Sequence, residues 1–481
     1  MGFEKHGLMP SFRVFTQDAL DAIHSASLEV LEKTGIKIVH GEGILKMLKD
    51  NGCTVDFEKG LVLFPSYVVE EALKKTLKHE PRPDGRHIDF TTDTETTSTV
   101  DLKTGEWRSS TLDDLEKLTR VTDALDSYAA GGHLTTALDK PYYVRCLYDY
   151  AAALNNTEKP CDWSVYPPEL ASRLTDYQLE IATAAAGSDK KLRERFLGGG
   201  GFCTESPLKF EGRYVEIALK LAKLGFPCSV ESMPLGGATA PVTLAGSLVM
   251  TNAEILSGVC TVQFAAPGTS TSVGYIMGNL DMKTGLWGQG PEEGLLCAGA
   301  VEVARYYGFW VTVNGFNSAS KMSGAQTSYE KAMSTLLPVL AGADGVYGAG
   351  SLGGGMAASF EELVMDDEIC KAVLKAVQGI EVNDETLAVD VINKVGPGGH
   401  YLAEKHTLNH FKDVLFFPEL TDRQSYDAWK KAGGKSMVKR ARERAEEILK
   451  EHWPTPLDKD VQKEISEIIS RAEKELPKST L

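Results

Sequence analysis

The chain has 481 residues, 42% apolar and 25% charged, with 51 Lys and Arg against 67 Asp and Glu for a net charge of −16. That length accommodates two or three average domains or one large barrel with additions, and the acidic balance excludes non-specific binding to phosphate backbones or anionic membrane surfaces. No stretch reaches the ~20 uninterrupted apolar residues of a membrane span, and residues 1–14 carry Glu4, Lys5, His6 and Arg13 with no apolar signal core, so the chain reads as cytoplasmic.

Residues 1–110 read as an N-terminal α+β appendage. Helical apolar spacing covers 16–34, and 36–39, 54–57, 61–64, 88–91 and 98–101 look extended. Lys103, Thr104 and Gly105 between 100–102 and 107–109 give a hairpin signal. From Thr111 the rhythm changes. Thr111 is an N-cap candidate with Asp114 three residues on, and Leu115, Leu118, Val121, Thr122 and Leu125 share one helix face.

Strand-like segments follow at 128–135, 161–166, 196–203, 227–233, 260–265, 272–277, 309–316 and 345–348. Helical stretches at 144–155, 168–186, 210–224, 242–257, 292–307 and 327–340 separate most of them. This alternation predicts a parallel sheet, and about eight repeats over ~240 residues fit an α/β fold of the (β/α)8 TIM type spanning 111–378. The segments 260–265 and 272–277 leave no room for a helix between them, so one boundary there conflicts with a regular barrel. Residues 379–481 read as a C-terminal helical extension packing on the barrel. Its charged stretches 435–451 and 457–476, separated by Trp453, Pro454 and Pro456, present either solvated faces or a partner surface.

Eight cysteines are spread along the chain with no C-x-x-C pair, so neither a disulfide framework nor a zinc site is expected, and most read as reduced and buried. In a parallel barrel the reactive groups sit at the carboxyl ends of the strands. Those positions hold the catalytic candidates Glu231 and Glu205. The substrate-binding candidates are His133, Trp163, Tyr166, Phe202, Gln263, Tyr275, Asn314, Phe316, Lys321 and Tyr347. The set is aromatic and weakly polar, without the tight His, Asp and Glu group of a metal hydrolase, and no metal is expected. Glu231 interrupts the apolar run Cys228-Ser-Val-Glu-Ser-Met-Pro234, where a buried carboxylate is costly unless paired. It serves either as counter-ion to a bound cation or as a partner in an ion pair or hydrogen bond inside the barrel. Glu205 is either a second acid of the site or a helix first-turn acid.

Glycine-rich stretches at 198–201, 236–241, 348–355 and 396–399 lack the endings of phosphate loops and dinucleotide fingerprints. His400, His406 and His410, with Glu404, do not form H-E-x-x-H, and their role stays open.

Longer motifs carry more. Met233-Pro-Leu-Gly-Gly-Ala-Thr-Ala-Pro-Val-Thr-Leu-Ala-Gly246, Asn252-Ala-Glu-Ile-Leu256, Gly324-Ala-Gln-Thr-Ser-Tyr-Glu330, Glu361-Glu-Leu-Val-Met-Asp-Asp-Glu368, Gly396-Pro-Gly-Gly-His-Tyr-Leu402 and His406-Thr-Leu-Asn-His-Phe411 resemble, in this order, the trimethylamine:corrinoid methyltransferase superfamily. The resemblance implies a (β/α)8 barrel that moves a methyl group from a methylated amine to the Co(I) centre of a separate corrinoid protein. Some members carry pyrrolysine. This chain has only standard residues, and the equivalent position is not fixed within 321–355. The resemblance thus places it with members lacking pyrrolysine, which are associated with quaternary amines such as glycine betaine, proline betaine and carnitine. A quaternary nitrogen needs neither general acid nor general base to leave, which agrees with an aromatic and weakly polar site. No Asp-x-His-x-x-Gly cobalamin pattern occurs, so the corrinoid is expected in trans on a partner docking over the barrel mouth, with no tightly bound cofactor in this chain. Self-association is a further expectation. Two alternatives remain: a metal-dependent lyase or hydrolase using His133, Glu205, Glu231 and His400, and a noncatalytic corrinoid-protein scaffold.

Overall fold

The computed structural model describes residues 11–79, 88–161, 164–188 and 200–478. Short β-branched or glycine-containing segments form β1 (Asp89–Thr92), β2 (Gly200–Thr204), β3 (Cys228–Ser232), β4 (Thr271–Tyr275), β5 (Trp310–Asn314) and β6 (Gly345–Ala349). They pair in parallel in the order β1-β6-β5-β4-β3-β2. Two extended segments carry the circle on from β1. Tyr128 pairs in parallel with Phe90, the Ala129 N–H donates to the Phe90 carbonyl at 2.9 Å, and the Gly131 N–H donates to the Pro160 carbonyl at 2.9 Å. The fold is the expected (β/α)8 barrel.

Two boundaries differ from the sequence reading. The strand expected at 260–265 is the end of a 22-residue helix, Leu244–Ala265. The missing strand is β1, which the sequence reading placed in the appendage and which pairs with β6. The barrel therefore starts before residue 111. Helix Leu244–Ala265 hid its period because both of its faces are covered. One lies on the barrel; the other meets helices Gln17–Lys33 and Ser66–Lys75, where the Ser27 hydroxyl donates to the Val249 carbonyl at 3.1 Å and Asn252 Nδ2 donates to Ser27 Oγ at 2.9 Å. The helix is long and apolar enough to cross a bilayer, yet it is mostly buried inside the protein.

The N-terminal layer is joined to the barrel by hydrogen bonds as well as by packing. Ile36–Val39 runs parallel to Lys209–Glu211 in the loop after β2. Ser98–Val100 pairs with Ala357–Ala358 in the loop after β6. At the other end of the chain, the charged helices cover the barrel's outer helices. Met437–Glu451 packs on Phe360–Val377 and Leu112–Ala124, and Lys459–Glu475 packs on Ala171–Ala186 through Ile465, Ile468, Ile469 and Ala472.

One fully buried ion cluster ties the last two barrel helices together. Lys331, on helix Ala325–Ala341, lies 2.6 Å from Glu362 and 2.8 Å from Asp366 of Phe360–Val377. Asp366 also accepts the Gly350 N–H at 2.7 Å, which fixes the loop leaving β6. Burial pushes the Asp366 carboxyl up to about 7, against the opposing charge of Lys331.

Candidate functional site

Alternation along the strands decides what the barrel encloses. Phe202, Val230, Val273 and Val311 are at most 4% exposed and point outward into the helix layer, which leaves Cys203, Ser229, Glu231, Ser272, Gly274 and Thr312 facing the axis. Barrel interiors are ordinarily filled by branched side chains. Here the inward residues are small or polar, and a cavity of about 1070 Å³ extends to the carboxyl ends of the strands.

Glu231 sits on its wall. In register it lies between Cys203 on β2 and Gly274 on β4, and Ser229 Oγ donates to Glu231 Oε1 at 3.0 Å. Gly274 makes the space for this carboxylate, since a Cβ there would lie 2.7 Å from Glu231 Cγ. Tyr347, from β6, lines the same cavity, and burial pushes its phenol well above the ordinary range, with the charges of Asp93 and Glu231 adding to the effect.

Two acids at the end of β1 complete the rim. Asp93 donates its N–H to the Ala349 carbonyl at 2.8 Å and accepts the Thr94 N–H at 2.9 Å; burial raises its carboxyl. Glu95 holds φ 57°, a strained backbone for a non-glycine residue, which puts its carboxylate 3.7 Å from His133 Nε2. Burial raises Glu95, but hydrogen bonding and charge from His133, with Ser164, outweigh it and hold this acid below the usual range. His133 Nε2 is also 2.8 Å from Ser164 Oγ.

Trp287 lines the cavity beside Asn317, and behind them lies Glu293. Glu293 Oε1 accepts Asn314 Nδ2 at 2.7 Å and Asn317 Nδ2 at 2.5 Å. Burial pushes this acid up to about 8, with the hydrogen bonds of Asn317, Trp287 and Asn314 opposing. A carboxyl whose pKa is raised in the folded state costs stability as pH climbs from its ordinary 4.5 to about 8, by roughly 1.4 kcal/mol per unit. Glu293→Gln keeps the acceptor and removes the titration. Its melting temperature should therefore gain on the wild type between pH 5 and 8 and level off above; parallel pH profiles would contradict the burial argument.

Of the sequence candidates, Glu231, Tyr347 and His133 meet in the cavity, and Phe202 touches its wall. Others do not. Glu205 is half exposed and ion-paired with Lys209 at the surface, where Lys209–Glu211 turns the chain away from the mouth. Gln263, being helical, donates to the Thr269 carbonyl at 2.9 Å and to Thr271 Oγ1 at 3.1 Å. Tyr166 donates to Asp149 at 2.8 Å and stacks on Tyr142, which holds it in the helix layer. Phe202 and Tyr275 have outward parity: Phe202 packs edge-on against Phe210, and the Tyr275 phenol donates to Asn252 Oδ1 at 3.2 Å. Phe316 is core, edge-on to Phe90. Asn314 clamps the Met277 backbone and Glu293, and Lys321 turns outward to donate to the Ala319 carbonyl at 2.6 Å. Trp163 lies outside the described residues. Missed by the sequence reading were Asp93, Glu95 and Trp287; the first two directly follow a strand-like run and become strand-end acids once β1 is counted in the barrel.

Residues 4–477 match the family model described as trimethylamine methyltransferase (MTTB). The chain belongs to the trimethylamine methyltransferase family. It is thereby a methyl-transferring enzyme. Among similar family members, trimethylamine methyltransferase MttB of Desulfitobacterium hafniense is 34% identical, covering 96% of this chain and 94% of its own. The MttB of Methanosarcina barkeri is likewise 34% identical over 96% and 95%. A glycine betaine methyltransferase of Desulfitobacterium hafniense is 30% identical over 98% and 99%. A solved structure titled as the hydroxylamine MtmB complex aligns with TM-score 0.50 and 11% identity over 92% of this chain and 88% of its own, a likeness of fold alone.

Proposed function

We propose that this enzyme transfers a methyl group from a quaternary amine of the betaine type, such as glycine betaine, proline betaine or carnitine, to the Co(I) centre of a corrinoid carried by a partner protein. The observation that carries the reading is the Glu231 carboxylate on the inner wall of a roomy barrel, with Asp93, Tyr347 and Trp287 lining the same cavity. Carboxylates and aromatic faces together suit a cation that has no hydrogen to donate, each aromatic face adding ~0.5–2 kcal/mol.

The mouth fits a corrinoid delivered from outside. Met282, Leu286, Met322 and Met356, in the loops after β4, β5 and β6, are more than half exposed and form an apolar rim of the kind that meets a protein partner. The corrinoid supplies the nucleophilic cobalt that accepts the methyl group. This chain's residues orient the ammonium, balance its charge and exclude water. No proton has to move, because the nitrogen keeps the C–N bond pair and departs as a neutral tertiary amine. The metal-dependent alternative is weakened by position: Glu205 and His400 are exposed and apart from the cavity that His133 and Glu231 line.

The test is a spectroscopic assay of corrinoid methylation with matched quaternary and tertiary amines. Quaternary amines should react at least tenfold faster, because a protonated tertiary amine brings a donor into a place shaped for methyl and leaves by a poorer route. Equal rates would overturn the quaternary reading.

A further inference from the structure

The cavity that holds Glu231 is lined from both ends of the sheet. Met233, 44% exposed, follows β3 at the mouth, and Leu77, 56% exposed, lies at the opposite end. The neighbours of Leu77 place it there. The His79 N–H donates to the Gly308 carbonyl at 2.8 Å and Lys78 Nζ to the Tyr307 carbonyl at 2.7 Å, shortly before β5 begins at Trp310. Pro227, before β3, and Ser270, before β4, are exposed and line the cavity at this same end.

The side chains in between let the cavity run the length of the barrel. An eight-stranded barrel is ordinarily filled by layers of branched side chains. Here the layer nearest the amino ends of four adjoining strands is Gly201, Ser229, Ser272 and Trp310, in register with one another. Gly201 is exposed, and Ser229 and Ser272 are partly so, although they face the axis. Trp310 is bulky but leans aside onto β6, where a Cβ on Gly345 would lie 3.2 Å from its Cη2. The volume of about 1070 Å³ is at the top of the ~300–1,000 Å³ that suits a drug-sized ligand, far more than an amine of betaine size fills.

We infer that the barrel is a passage, through whose amino end the amine enters and its demethylated product leaves while a protein covers the mouth. The inference rests on the reading that a corrinoid protein docks there. A single opening would impose an order on the reaction, with amine bound before docking and product held until undocking. A partner docked on the empty enzyme would then shut the amine out. A second opening removes both constraints. Its rim carries charges of both signs, Lys78 and Asp89, so it offers a favourable charge to either end of a zwitterion.

The test labels cysteine variants of the full chain with a methanethiosulfonate that carries a trimethylammonium group, and locates the label by mass spectrometry. Ser272→Cys reads the layer at the amino end. Thr312→Cys, beside Gly274 in the row of Glu231, reads the depth of the proposed site. Met356→Cys reads the rim of the mouth. With the reduced corrinoid protein at about ten times its Kd, Met356→Cys should be protected about tenfold, while Ser272→Cys and Thr312→Cys should react within about twofold of their rates alone. If one of the two inner variants misfolds, the other decides. Protection of the inner positions together with the rim, protection of none, or failure of the inner positions to react at all would overturn the inference. Labelling needs no methyl transfer, so an inactive enzyme with the expected labelling would count against the proposed reaction and not against the passage.

Discussion

Glu231→Gln is expected to lower the rate of corrinoid methylation ten- to thousandfold, equivalent to about 1.4–4 kcal/mol of lost transition-state stabilisation. Glutamine has the same shape and keeps an acceptor for Ser229, so the strand and its register with Gly274 should persist. What goes is the charge proposed to balance the ammonium. Gly274→Ala should give a loss of similar size without removing any charge, because its methyl would occupy the place of the Glu231 side chain, 2.7 Å from Cγ. Full activity in Glu231→Gln would remove this carboxylate from the mechanism, and full activity in Gly274→Ala would show that its position is uncritical.

Lys331→Met should destabilise the fold by about 3–5 kcal/mol, the usual cost of removing one member of a buried ion cluster. Glu362 and Asp366 would remain fully buried without their cation. The deficit should depend on pH. In the wild type burial already pushes Asp366 up to about 7 from its ordinary 3.8 against the charge of Lys331, and without Lys331 its folded-state value should rise further. An acid with a raised folded pKa binds protons more readily when folded, so stability returns as pH falls toward the unfolded value. The gap in melting temperature between variant and wild type should therefore narrow from pH 8 to pH 5.5. A gap that stays constant would show that the carboxylates do not carry the cost.

The barrel was legible from Thr111 onward because its helices are amphipathic and its strands apolar, so the period changes visibly at each junction. Two places resisted. β1 is four residues of mostly polar sequence whose ladder partner β6 lies far along the chain, and nothing local marks Asp89–Thr92 as belonging beside it. Helix Leu244–Ala265 lacks a polar face to reveal its turn. In the site, Glu231 stood out as a charge inside an apolar run. Among the aromatic candidates, Phe202 and Tyr275 turn from the axis for a different reason: being near the end of a strand sets depth but not face. Phe202 is in register with Val230, and Tyr275 with Ser232, one step from the Cys203, Glu231 and Gly274 row, so both turn to the helices. Parity counted from Glu231 separates them from Tyr347, which stands opposite Thr91 and faces the axis.

The pairing of β1 with β6 also bears on how the protein is made. Residues of β1 leave the ribosome about 250 residues before the strand they bond to, some tens of seconds at ordinary elongation rates. Throughout that interval Phe90 has no completed ring to enter, and helix Leu244–Ala265, when it emerges, meets an N-terminal layer already waiting to cover it. Closure is thus a late, long-range event with a large loop to pay for, which makes nascent chains ending before residue 345 the species most in need of chaperone protection.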